Sequence, residues 1–310
     1  MKVIGVTEFG GPEVLGIHEV PEPHAGPGEV RISVRAFAVS PTDTLVRTGQ
    51  PDTSGVEPPY VPGMDAAGLI DEVGEGVEGW SVGDEVMAMA IPLAGHGGAY
   101  VQKLVAPVGS FTRIPANTSL EEASTIPMNG LTATQMLEKV TLAPGQVLAV
   151  SGAAGLLGNY LVQLGKAAGL TVIADAADKD RALVESLGAD HVVERGPGFA
   201  DAVRAIVPGG VDALTDASVQ REEALPAVRD GGVSIDVRLW KGTGERGIRF
   251  EQAVVADEYH SFGKLDALRQ RVENRLLTPR VAEVLPAAEA SQAHRRLEAG
   301  GVRGRFVLVW

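Results

Sequence analysis

The stretch VLAVSGAAGLLGNYLVQLGKAAGLTVIADA, Val147 to Ala176, packs two apolar runs around a cluster of small residues. Val147 to Val150 is β-branched and aliphatic, too short for a helix, and introduced by the turn-like APGQ at 143–146, so it reads as a buried strand. From Tyr160 the apolar residues fall at Leu161, Leu164, Ala167 and Ala168, which is helical spacing, and Gly169 stops the helix before the strand-like TVIADA. The unit is therefore strand, tight turn, helix, strand. In such a turn glycine permits a sharp reversal and a close approach of backbone to ligand, and the free amides at the helix start favour a diphosphate. The strict GxGxxG pattern is not met, because Ala153 holds its first position; what stands here is Gly152-x-x-Gly155-x-x-Gly158. That spacing alone also serves plain helix-on-strand packing, and context must separate the two readings.

The rest of the chain supplies a frame of the same kind. Strand patterns at Val147 to Ser151, Thr171 to Asp175, His191 to Glu194, Val211 to Asp216, Gly232 to Val237 and Arg249 to Val255 alternate with helical segments, which predicts an α/β fold with a doubly wound parallel (Rossmann) sheet. Before them, KVIGVTEF, EVRISVRAFAVS, GLIDEVGEGV and DEVMAMA are short strands separated by Pro and Gly clusters, which predicts an irregular, mostly antiparallel β-barrel-like domain. The character changes near Pro115, where Ser119 with Glu121 and Glu122 signals a helix start. The expected organisation is a barrel-like substrate domain at 1–118, a dinucleotide-binding domain at 119–257, and a return to the substrate domain at 258–310. Leu265, Leu268, Val272 and Leu276 have helical spacing and are expected in the core.

Composition narrows the function. Of the 310 residues, 27 are Lys or Arg and 40 are Asp or Glu, so the formal charge is −13, a surface that repels nucleic-acid phosphates and anionic membranes. There is no cysteine, which removes disulfides, thiolate chemistry and any zinc site built on cysteine ligands. No apolar run approaches a membrane span and the first residues lack a signal-peptide core, so a soluble cytoplasmic enzyme is expected.

Several longer motifs fit this frame: PGMDAAGLIDEVGEGVEGWSVGDEVMAM (62–89), GGAYVQ (97–102), IPMNGLTATQMLEKVTLAPGQVLAVSGAAGLLG (126–158), SLGADHVV (186–193) and AHRRLEAGGVRGRFVL (293–308). Through them the chain resembles, almost end to end, the zinc-free quinone oxidoreductase branch of the medium-chain dehydrogenase/reductase superfamily, to which zeta-crystallin belongs. The resemblance implies a GroES-like substrate domain and a Rossmann domain. It implies NADPH- or NADH-dependent hydride transfer to a quinone or an activated alkene without metal, and a homodimer formed through the last strand of the parallel sheet. The family's phosphate-turn pattern G-A-A-G-G-V-G corresponds to Gly152, Ala153, Ala154, Gly155, Leu156, Leu157 and Gly158, with two apolar replacements. The nicotinamide is then expected to meet Thr132 and the loop Asp216-Ala217-Ser218.

The substrate loop departs from the family. Where relatives read like VNPxDxYxRxG this chain has VSPTDTLVRTG, placing Ser40 at the Asn position and Leu45 at the Tyr position, so proton donation by that Tyr is unavailable. Ser40 either hydrogen-bonds a substrate carbonyl or starts a turn before Pro41, and Asp43 is expected to tie the loop to its neighbours. His96, in AGHGGAY, and His260, beside Tyr259, are the remaining acid/base candidates, each against the reading of a surface histidine. Tyr60 either lines the substrate cleft or packs a turn. Glu121-Glu122 and Glu222-Glu223 are expected to be solvated helix beginnings rather than acid/base pairs. Two other classes stay open: a specialised enoyl or enone reductase of a biosynthetic pathway, and a non-catalytic NADPH-binding protein.

The choice of nucleotide is argued both ways. Asp175, at the end of the second strand, stands in the usual place for a carboxylate that bonds the ribose of NADH and repels a 2′-phosphate. The family register, however, puts the ribose-reading position at Ala176, where a small side chain leaves room for a phosphate and strand alternation turns Asp175 aside, and Arg181, Arg195 and Lys179 align with positions that approach the phosphate of NADPH. The expectation is NADPH.

Overall fold

A computed structural model describes all 310 residues. Its elements in chain order are β1 (Lys2–Gly5), β2 (Gly16–Glu19), β3 (Glu29–Ala38), α1 (Pro41–Arg47), β4 (Asp65–Val73), β5 (Glu85–Met89), β6 (Lys103–Pro107), β7 (Phe111–Arg113), α2 (Leu120–Ala123), α3 (Pro127–Val140), β8 (Val147–Ser151), α4 (Leu156–Ala167), β9 (Thr171–Ala176), α5 (Arg181–Ser186), β10 (His191–Glu194), α6 (Phe199–Ile206), β11 (Val211–Asp216), β12 (Val228–Asp236), β13 (Arg249–Gln252), α7 (Phe262–Glu273), β14 (Val281–Pro286), α8 (Ala290–Glu298) and β15 (Arg305–Val309). Contacts divide the chain into two compact units, Met1–Met128 with Tyr259–Asn274 and Pro279–Trp310, and Asn129–Glu258 with Arg275–Thr278. The first crossing lies beyond residue 118 because α2 packs on β3 and β4. Ser119 caps that short helix as its sequence suggests: Glu122 N donates to Ser119 Oγ at 3.2 Å and Ser119 N to the Glu122 carboxylate at 3.0 Å.

In the first unit β14, β15, β3, β4, β5 and β7 form a sheet, with β6 also paired to β3. Only β14 and β15 run parallel; the other pairs are antiparallel. The alternation in β3 places Val30, Ile32 and Val34 in a core shared with Phe37, Tyr100 and Phe111, while Arg31 and Ser33 turn the other way. Helix α7 buries Leu265, Leu268 and Val272, but Leu276 is 52% exposed, against expectation. The helix ends at Glu273, so the 3.6-residue phase does not reach Leu276, and Leu277 fills the core instead.

The second unit is a six-stranded sheet in the order β10-β9-β8-β11-β12-β13, with every pair parallel. The nearly continuous burial of β8, β9 and β11 follows from helices covering both faces of such a sheet. Strand order reverses between β8 and β11, and the crevice at the carboxyl ends of those strands is where open α/β sheets bind ligands.

Candidate active site

The turn leaving β8 is built for two different purposes. Gly152 has φ +73°, and a Cβ there would lie 3.1 Å from Ser218. At Gly158 a Cβ would stand 2.2 Å from the Gly152 carbonyl oxygen and 2.6 Å from the Ala153 Cα, so this glycine exists for packing α4 onto the strand. Gly155 differs: a Cβ there would meet only the Gly152 oxygen, at 3.3 Å, and otherwise open space. Gly155 is also the N-cap of α4, has extended backbone, and offers no side chain to the first-turn amides. An uncapped helix start facing open space is an anion cradle. Of the two readings left open by the glycine spacing, packing accounts for Gly158, while at Gly155 nothing in the fold fills the space beside the turn.

Aspartates at the ends of three strands hold this crevice in shape. Asp175, 1% exposed, accepts the Ala153 amide at 2.9 Å, with Gln220 Nε2 3.5 Å from its second oxygen. Burial raises its pKa, opposed by the Ala153 amide, the Arg195 charge and the Gly152 amide. Its carboxylate is thus turned beneath the glycine turn. It acts there as a positioning group, and the geometry does not support the ribose contact that sequence position suggests. Asp216 accepts the Arg221 amide at 2.7 Å and the Ser151 hydroxyl, and Ser218 Oγ donates to Ser151 Oγ at 2.8 Å. Asp236 accepts the amides of Trp240 at 2.9 Å and Arg238 at 3.2 Å. The last two roles were not anticipated, though an aspartate at or beside the end of successive strands (IADA, LTDA, SIDV) was visible.

The remaining cofactor candidates divide. Thr132 is buried within α3, and the Ala217 amide donates to the Ser151 carbonyl at 3.3 Å at the mouth of the crevice. Arg195 is exposed and its amide bonds the Ala176 carbonyl at 3.1 Å, which puts it beside the ribose-reading position; Lys179 is exposed just past the end of β9. Arg181 is partly committed elsewhere, with Nη1 donating to the Val192 carbonyl at 2.8 Å and lying 3.9 Å from Glu185.

In the first unit Ser40 is the N-cap of α1 and wholly buried, its Oγ without a partner. Asp43 ties the loop together as expected, accepting the Ser40 amide at 2.7 Å, the Gly63 amide at 3.1 Å and the Tyr100 hydroxyl at 3.0 Å; Tyr100 Oη also lies 3.2 Å from His294 Nε2. His96 is not brought to Ser40. Its Nε2 is 2.7 Å from the Glu29 carboxylate, at the start of β3, whereas Ser40 follows the other end of that strand. Tyr60 pairs through its backbone with Val6 and stacks on Phe9 at 5.0 Å, the packing role of the two considered. Tyr259 is partly buried and hydrogen-bonded to Ser110, and His260 lies against Gly109.

Burial also pushes the Asp43 pKa up to about 6 and that of Asp65 up to about 7, from an ordinary 3.8, although Asp65 accepts the Met128 amide at 2.6 Å. For Asp65 the displacement amounts to about 4 kcal/mol of preference for the neutral acid, part of which relaxation and the nearby Arg305 recover when it ionises. Because the folded pKa is the higher one, this stabilisation is complete below the unfolded pKa and is lost as pH rises through about 7. Asp65→Asn is therefore expected to match the wild type at about pH 3.5, to gain on it progressively as the pH rises toward about 7, and to be more stable by about 2 kcal/mol at about pH 8.5 in urea denaturation. Equal stabilities at both pH values would refute the assignment.

The chain is similar to known proteins along its whole length. Residues 26–116 match the alcohol dehydrogenase GroES-like domain and residues 187–308 the zinc-binding dehydrogenase family. A 2-haloacrylate reductase of a Burkholderia species is 30% identical over 98% of this chain and 97% of its own. A quinone oxidoreductase of Sus scrofa is 28% identical over 100% of this chain and 98% of its own. Among solved structures, one described as an NAD-dependent alcohol dehydrogenase superposes with a TM-score of 0.90 at 30% identity, and a mycobacterial protein solved in complex with NADPH with 0.87 at 28%, each covering 100% of both chains. The zinc of the second family description finds no donor set here, since there is no cysteine and no group of three or more His, Asp or Glu side chains is placed to hold a metal ion. With a GroES-like unit, a Rossmann sheet and a glycine turn at its switch point, the chain belongs to the medium-chain dehydrogenase/reductase superfamily, among relatives named as reductases.

Proposed function

We propose that this protein is an NADPH-dependent, metal-independent reductase that delivers hydride to a quinone or to an activated carbon-carbon double bond. The observation that carries the reading is the uncapped start of α4 at Gly155, open above and held from below by Asp175. Gly152 to Gly158 would hold the diphosphate through backbone amides, with Thr132 and Ala217 toward the nicotinamide. When bound, the dinucleotide supplies the hydride. The chain supplies orientation and a dry surround, and positioning alone can account for much of the rate of such a transfer. The unpartnered Ser40 hydroxyl would bond the substrate carbonyl if loop movement uncovers it, and the balancing proton arrives from solvent. His96, occupied by Glu29, takes no part. β13 is an open edge of the parallel sheet, and pairing with the same strand of a second copy would give a homodimer.

The preference for NADPH rests on the Asp175 carboxylate facing the turn and on Arg195 and Lys179 standing near Ala176. Direct titration of both nucleotides tests it: wild type is expected to bind NADPH more tightly, and Arg181→Ala/Arg195→Ala to lose about tenfold of that preference. Tighter NADH binding by the wild type, or an unchanged preference in the double variant, would reverse the assignment. For the reaction, stopped-flow oxidation of NADPH against quinones, enones and enoyl thioesters is expected to show turnover with a quinone or an enone. Turnover with thioesters alone would point to the specialised enoyl reductase, and tight NADPH binding without oxidation to a non-catalytic binder.

A further inference from the structure

A cavity of about 660 Å³ lies in the first unit where β14, the end of α8 and the loop entering β15 meet. Arg280, Arg296 and Arg303 line it together with Val281, Val302 and Phe306, and no carboxylate does. In a chain of net charge −13 this is an unusual gathering of positive side chains. Two of the three have partners. Arg296 pairs with Glu283 and lies over the Phe306 ring, 4.5 Å from its centroid, and Arg303 Nη1 donates to the Val302 carbonyl at 3.1 Å.

Arg280 is different. It is half-buried and makes no ion pair and no side-chain hydrogen bond, and burial lowers its pKa with no acidic group acting to raise it. Its place is fixed by the backbone: the Arg280 carbonyl accepts the Arg305 amide at 3.1 Å, and Gly304, at φ +108°, lets the two segments approach, since a Cβ there would stand 2.6 Å from that carbonyl. A guanidinium partly withdrawn from water and left unpaired carries a cost that an anion offsets.

The geometry points to a second small-molecule site in this cavity, taking an organic oxyanion whose phosphate or carboxylate head pairs with Arg280 and Arg303 and whose apolar body lies on Val281, Val302 and Phe306. The planar guanidinium fork suits both head groups, and the volume far exceeds that of an inorganic ion. Glu283 and Glu289 face Arg296 and offset one of the three charges, and the nearby C-terminal end of α8 disfavours anions, so Arg280 and Arg303 must carry the attraction. The site belongs to the barrel unit, whereas the glycine turn belongs to the other.

The test is calorimetric titration of the full chain, saturated with NADPH so that the glycine turn is filled, with phenyl phosphate, benzoate, phenol and inorganic phosphate. Phenyl phosphate or benzoate is expected to saturate at one molecule per chain, more tightly than phenol or inorganic phosphate, and the tighter of the two identifies the head group. Arg280→Gln and Arg303→Gln are each expected to weaken that binding at least tenfold with NADPH affinity and melting temperature unchanged. Failure of both organic anions to saturate, wild-type affinity in the two variants, or inorganic phosphate binding as tightly as phenyl phosphate would overturn the proposal.

Discussion

Gly155→Val should abolish dinucleotide binding and leave the protein folded. Valine is comfortable at this position, whose backbone is extended at φ −77° and ψ 164°, and its Cβ meets only one backbone oxygen, at 3.3 Å. Its two methyl groups, however, would fill the open face above the first-turn amides of α4, where a diphosphate must approach to hydrogen-bond distance. The expected loss is more than about 100-fold in NADPH affinity, about 2.7 kcal/mol, with a melting temperature within a few degrees of wild type. Fluorescence titration alongside a thermal melt measures both, and near-normal affinity in the variant would refute the role given to the turn.

Gly158→Val is expected to do the reverse. Three residues further on, the added Cβ would penetrate to 2.2 Å from the Gly152 oxygen and 2.6 Å from the Ala153 Cα, both backbone atoms that no rotamer change can move. Helix α4 must then lift from β8 and β9, opening the interface that buries Tyr160, Leu161 and Leu164. Such overpacking against rigid backbone should destabilise the second unit by about 4 kcal/mol or more, seen as an early unfolding transition in urea. A variant as stable as wild type would show that the helix is not held as closely as described. The two substitutions, alike in chemistry, divide function from fold within one turn of chain.

The parallel sheet was legible because its strands announce themselves as apolar runs bounded by glycine and helical spacing: β8, β10 and β11 begin and end where the pattern put them. Leu276 was misplaced because periodicity cannot see where a helix stops; α7 ends at Glu273 and the next turn of chain points elsewhere. His96 has a partner that its own segment does not announce. Its glycine-rich neighbourhood suggested an active-site loop, but Glu29, far away in sequence, occupies its ring nitrogen. Asp175 shows the other limit. Its position on β9 is what a ribose-binding carboxylate would have, and only the direction of the side chain, toward the Ala153 amide, assigns it to supporting the turn. Tertiary partners of this kind leave little trace in one sequence.

Hydride transfer from NADPH is proposed to need no metal in this protein. Its most direct test is a single-turnover reaction of the chelator-dialysed protein with NADPH deuterated at the transferable position and an enone acceptor, whose β-carbon retains the label in water, followed by mass analysis of the product. One deuterium is expected on the β-carbon of the reduced enone, delivered by the dialysed protein at the rate of the untreated one. Product without deuterium, or activity lost on dialysis and restored by zinc, would contradict it.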